Sequence, residues 1–206
     1  ARRLADEADS LEEALDLQRT RELSNCIFAV TYTYTGYPMV RQMRKLVEEG
    51  RLGKIHKIDI QYYQGWINPV IHDPVKRAAT WRLQPEKSGI SCCIGDIGTH
   101  AFDMIEFVTG MQVTKVLADL NYLYEDNKMD IDGTVLIRCT DGVKGVIRAS
   151  QIATGEENSF VVKIYGEKAY GFFGVFISII SIVSILSTLQ LDKCIITSKH
   201  KKVSIN

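Results

Sequence analysis

Residues 112–165 form a run of strand-like segments that follows the helical part of the chain instead of alternating with it. The first half of 112–124 is apolar and β-branched, Val135, Ile137 and Cys139 alternate with polar neighbours, and 143–152 and 160–165 are further strands. Asp141-Gly142 has the composition of a two-residue hairpin turn, and Gly166-Glu167-Lys168 closes the last segment. Strands gathered after helices predict an α+β domain: a largely antiparallel open sheet with helices on one face. One helical layer leaves the second face of that sheet uncovered, and the alternation keeps this face partly apolar.

The preceding half supplies the helices. Ser10-Leu11-Glu12-Glu13 is a capping box, and Leu11, Ala14, Leu15 and Leu17 predict a helix with an apolar face running to Ser24. Cys26 to Val30 is a short continuous apolar run, the pattern of a strand buried on both faces. Pro38 opens a second helix whose buried side is Met39, Val40, Met43, Leu46 and Val47, with Gly50 ending it. Residues 55–63 alternate as a half-exposed strand, with Ile58, Ile60 and Tyr62 on one face; His56 reads as a surface histidine. Residues 66–88, carrying Pro69, Pro74 and Pro85, read as a long loop with a single turn at 75–79, and loops of that length inside a domain tend to be functional.

Chemistry concentrates in residues 93–110, CIGDIGTHAFDMIEFVTG, which read as one helix ended by Gly110. Asp96, His100 and Asp103 fall at i, i+4 and i+7, on one stripe beside the apolar face. An imidazole takes and gives a proton near neutrality, and a carboxylate one turn away orients the ring and stabilises its charged form. Spacing alone equally accommodates a helix-capping Asp96 and a core histidine. From the residues alone, Trp81-Arg82 reads as packing with a surface ion pair.

GDIGTHAFDMIEFVTG, with TYTYTGYPMVRQMR, QYYQGW and ATWR in the same order, resembles the glucose–fructose oxidoreductase, inositol dehydrogenase and rhizopine-catabolism (Gfo/Idh/MocA) family of nicotinamide-dependent sugar and polyol dehydrogenases. The resemblance implies catalytic roles for Asp96 and His100 at a substrate hydroxyl, and substrate contacts for Trp81, Arg82 and Tyr34. It implies NAD or NADP in the complete enzyme, a sugar or polyol substrate, and homo-oligomers formed through the open sheet face. It also divides the chain into 1–34, the last helix and strand of a dinucleotide-binding (Rossmann) domain; 35–170, the substrate domain; and 171–206, a divergent apolar segment with a basic tail. No GxGxxG string occurs in the sequence, and the family's catalytic lysine has no counterpart near Arg2 and Arg3. The chain by itself is therefore expected to bind no dinucleotide and to be inactive. The alternative is a non-catalytic binding or assembly module derived from such an enzyme.

Composition narrows the partners. Lys plus Arg and Asp plus Glu are 25 each, so nothing favours nucleic acid. The five cysteines show no metal-ligand spacing or paired framework, which fits a reducing cytoplasm and no metal. Residues 169–191 carry no charge; the segment 171–191 reads as strands with Ile179 and Ile185 buried, in preference to a membrane span or an altered reading frame.

Overall fold

The computed structural model describes residues 11–24, 27–123 and 129–172. Its centre is a six-stranded sheet in the order β2-β3-β4-β1-β5-β6, built from β1 (Ile55–Tyr63), β2 (Val113–Tyr122), β3 (Asp130–Cys139), β4 (Lys144–Ser150), β5 (Ser159–Gly166) and β6 (Tyr170–Phe172). Every neighbouring pair is antiparallel except β1 and β4, which run parallel from Lys57↔Lys144 to Tyr63↔Ser150. Alternation decides the faces. Ile58, Ile60 and Tyr62 of β1, Val135 and Ile137 of β3, Ile147 and Ala149 of β4, and Phe160, Val162 and Ile164 of β5 are buried on the side that α2 (Pro38–Glu48) and α6 (Thr99–Thr109) cover. From the helices come Val40, Met43, Ala101, Met104, Ile105 and Val108. The opposite face is left to solvent, with Leu117 69% and Leu136 52% exposed directly opposite one another.

The predicted turns form where the chemistry requires. Gly110 takes the left-handed conformation (φ 70°) that ends α6. The β3–β4 connection has four residues, 140–143, not two: Asp141 and Gly142 both have positive φ (62° and 75°), and Cys139 N–H donates to the Val143 carbonyl at 2.9 Å.

Four expectations are modified. The apolar run read as a buried strand has no regular secondary structure over residues 27–30; no described strand lies beside it to share its hydrogen bonds, and Ile27 is 99% exposed. The helix before it, α1 (Leu11–Leu23), forms but buries no residue. Residues 66–88 are not a plain loop: they wind into α3 (Asn68–Ile71), α4 (Pro74–Ala79), a 3₁₀ turn at Trp81–Leu83 and α5 (Pro85–Ser88). The three prolines that suggested a loop sit in the first turns of those helices, and the Asp73 carboxylate accepts from the N–H groups of Val75 and Lys76 at 3.1 Å. Finally, the helix carrying Asp96 opens with a π-helical turn, Ile94–Gly98, before α6. Residues 173–191, including Ile179 and Ile185, lie outside the described residues; of that segment, Gly171 and Phe172 are in β6. Among the described residues no helix is long and apolar enough to cross a membrane.

Candidate active site

Because β1 and β4 are parallel neighbours, the chain leaves both at the same end of the sheet, and Gln64 and Gln151 emerge there together. The π turn delivers Asp96 to the same end. Asp96 Oδ2 accepts a hydrogen bond from Gln151 Nε2 at 2.8 Å and lies 3.9 Å from Arg82 Nε. The π turn is itself anchored by Asp130, 2% exposed, whose two carboxylate oxygens accept the N–H groups of Cys92 (3.0 Å) and Ile94 (2.6 Å). π turns commonly occur where a helix re-aims a functional side chain.

His100 follows one turn later in a cage of tyrosines. Its ring makes edge contacts with Tyr32 (centroids 5.4 Å apart), Tyr34 (5.3 Å) and Tyr62 (6.2 Å). Its Nδ1 is buried without a hydrogen-bond partner. Burial pushes the imidazole pKa below the ordinary 6.5, and the negative charge of Asp96 partly opposes that. The ring is thus neutral at physiological pH and able to accept a proton.

Beside the imidazole runs a polar network. Tyr34 and Tyr62 share a hydrogen bond between hydroxyls at 2.5 Å, the Tyr62 hydroxyl donates to Asn158 Oδ1 at 2.7 Å, Gln64 Nε2 donates to the same oxygen at 2.9 Å, and Asn158 Nδ2 donates to the Tyr34 hydroxyl at 3.0 Å. Burial, with Tyr34 next, raises the Tyr62 phenol far above its usual value and keeps it a donor. Gln151 Nε2 is 3.5 Å from Gln64 Oε1, which joins this network to Asp96.

Four of the residues singled out from sequence therefore share one neighbourhood: Asp96 beside Arg82, and His100 against Tyr34. Trp81 joins through Arg82, whose guanidinium sits 4.5 Å over the indole, so one ring face is occupied and the side chain is 51% exposed. Asp103 does not join Asp96: with Tyr32, Thr99, Phe102 and Glu106 it lines an adjoining cavity of about 240 Å³ that shares Tyr32 with the His100 cage. Sequence reasoning missed Gln64, Asn158, Gln151 and Asp130. Their signal is weak, a polar residue just past a strand end or a lone acid at a strand start. Among the described residues no cluster of His, Cys, Asp or Glu could hold a metal.

Comparison with known proteins places this geometry. The family model of the GFO/IDH/MocA C-terminal domain matches residues 40–170. An uncharacterized oxidoreductase of Bacillus subtilis strain 168, YfiI, is 28% identical over 159 residues, covering 76% of this chain and 40% of YfiI. A structure of levoglucosan dehydrogenase in complex with NADH and levoglucosan is similar at TM-score 0.70 and 26% identity, over 80% of this chain and 44% of that one. An inositol dehydrogenase homolog from Azotobacter vinelandii, complexed with NAD+, shares the fold at TM-score 0.75 and 23% identity, over 82% of this chain and 44% of its own. The chain spans less than half the length of each of these relatives. With a matching domain that covers β1 to β5, all but the first residues of α2, the whole of α6 and the Asp96–His100 turn, the chain belongs to the Gfo/Idh/MocA family of oxidoreductases.

Proposed function

We propose that this chain is the substrate-binding and proton-transferring half of an NAD(P)-dependent dehydrogenase that acts on a secondary alcohol of a sugar or polyol. The observation that carries the reading is the meeting of a neutral, half-buried His100 and a hydrogen-bonded Asp96 with the Tyr34–Tyr62–Asn158–Gln64 network. In this reading His100 accepts the proton of the reacting hydroxyl, and the nearby Asp96 charge stabilises the imidazolium that forms. Asp96 accepts from a neighbouring hydroxyl, Arg82 donates to one, the Tyr34 ring lines the pocket beside His100, and the free face of Trp81 takes the apolar side of a sugar ring. Levoglucosan in one relative's structure, and myo-inositol in another with the inositol dehydrogenase homolog, are ligands of that class.

A nicotinamide dinucleotide supplies the hydride acceptor in such enzymes. The residues described here do not fit its pyrophosphate: α2 opens from a 3₁₀ turn and Pro38, α6 from the π turn, and no glycine fingerprint lies between a strand and a helix. The chain alone is therefore expected to be inactive. The division at residues 34/35 and 170/171, a cytoplasmic location for the buried free thiols Cys92, Cys93 and Cys139, and self-association through the sheet face carrying Leu117 and Leu136 belong to the same proposal.

The test is titration of the full chain with myo-inositol and levoglucosan, followed by amide chemical shifts. Saturable shifts at residues around Asp96 and His100, weakened at least about tenfold, or about 1.4 kcal/mol, by His100→Ala or Asp96→Asn, support it. Shifts scattered over the surface, or unchanged affinity in both variants, refute it.

A further inference from the structure

We propose that Gln151 and Cys92 form a positioning pair that fixes the direction of the Asp96 carboxylate. The proposal rests on Asp96 belonging to the site described above, and it adds two residues that touch no substrate. Gln151 is 0% exposed although its side chain is polar. A buried amide must satisfy both ends. Its Nε2 donates to Asp96 Oδ2 at 2.8 Å, and its Oε1 accepts from the Cys92 thiol at 3.2 Å. Its backbone is pinned on both sides: the N–H donates to the Ile131 carbonyl at 2.9 Å, and the carbonyl accepts from Ile67 N–H at 3.1 Å.

The thiol secures the far end of the amide. An asparagine or glutamine amide can flip by 180°, and a flipped Gln151 would present its oxygen to the Asp96 carboxylate. Cys92, as a donor to Oε1, adds a hydrogen bond that favours the unflipped amide. Burial first, then the charges of Asp96 and Asp130, push its pKa up to about 12, so it stays a thiol. The Asp96 carboxylate and Gln64 Oε1 both accept on the NH₂ side of the amide, and the thiol, by donating to Oε1, holds the other end in the same orientation. Cys92 is in turn held by its own N–H on the Asp130 carboxylate at 3.0 Å.

His100 reports on the device without cofactor or turnover, because the Asp96 charge acts on its titration. The groups facing that ring are Tyr32, Tyr34 and Tyr62 as well as Asp96. The experiment follows the imidazole signals of the full chain by NMR across pH, with His56 and His72 as internal controls. Gln151→Met keeps the length and removes the side-chain hydrogen bonds to Asp96, Gln64 and Cys92; it is expected to move the His100 midpoint down, as the carboxylate loses its tether and swings towards solvent. Cys92→Ala is expected to do the same, and Cys92→Ser, which keeps a donor, to leave the midpoint where it is in the unsubstituted chain. If Gln151→Met fails to fold, the Cys92 pair decides. A His100 midpoint unmoved in Cys92→Ala, or moved equally by Ala and Ser, overturns the proposal. Loss of sugar binding in the unsubstituted chain would refute the proposed function and leave this result standing.

Discussion

Replacing Asp130 tests whether the π turn is held as described. Its carboxylate is buried and accepts two backbone N–H groups, at 3.0 Å from Cys92 and 2.6 Å from Ile94. A hydrogen bond to a charged group contributes about 1.5–3 kcal/mol. Asp130→Asn keeps the volume but offers one acceptor oxygen for two donors, so one bond is lost, a cost of about 1.5–3 kcal/mol. Asp130→Ala leaves both N–H groups unpaired and should cost about 3–6 kcal/mol. Urea unfolding followed by circular dichroism reads this directly. With a slope of about 1–3 kcal/mol per molar, the asparagine variant's midpoint should fall by roughly 1 M at unchanged slope. The same variant should lose affinity for myo-inositol, because Cys92 and Ile94 are the residues from which Asp96 is aimed. An Asp130→Asn chain within about 0.5 kcal/mol of the parent, the range of an indifferent surface change, would show that the carboxylate does not hold the turn.

Three further outcomes are expected. Because burial holds the His100 pKa below 6.5, the unfolded chain takes up a proton first as pH falls through 6.5; stability should drop from there downwards to the folded midpoint, and His100→Asn should flatten that part of the pH–stability curve. Asp103 behaves oppositely: burial and then Glu106 raise its pKa above 3.8, so ionisation opposes folding, and Asp103→Asn should stabilise the chain at neutral pH, with the gain fading as pH falls from the raised folded midpoint down to 3.8; no gain in thermal midpoint at pH 7 would contradict this. Gly166→Ala would set a Cβ 2.1 Å from the Leu52 carbonyl oxygen, a backbone atom that cannot step aside cheaply, and should lower stability by about 1–3 kcal/mol in the urea assay.

The sheet was legible because alternation is a local signal. Each of β1 to β5 was marked by its own side chains, and the solvent-facing opposition of Leu117 and Leu136 follows from the same pattern. The prolines of 66–88 misled for a definite reason: a proline breaks a helix from within but starts one from its first turn, and only the neighbouring caps, such as Asp73, tell the two apart. The apolar run near residue 28 shows the limit of the method. A continuous hydrophobic stretch signals burial, but a strand also needs neighbours for its N–H and C=O groups, and none of the described strands lies beside it.

The site was half legible, and the division follows sequence distance. Asp96 and His100 are four residues apart, so a helix brings them into one neighbourhood whatever the rest of the chain does. Gln151 reaches Asp96 across 55 residues and Asn158 reaches Tyr34 across 124. The first meeting depends on the parallel pairing of β1 with β4 and the second on the antiparallel pairing of β1 with β5, and a hydrophobic alternation pattern is the same for a parallel and an antiparallel neighbour. Had β4 run the other way beside β1, Gln151 would leave at the far end of the sheet from Gln64. The Asp96 carboxylate would then have no buried amide to hold it. The parallel pair is thus the structural feature on which the Asp96 side of the polar cleft depends, and the intervening segment from α3 to β3 is the crossover that makes it possible.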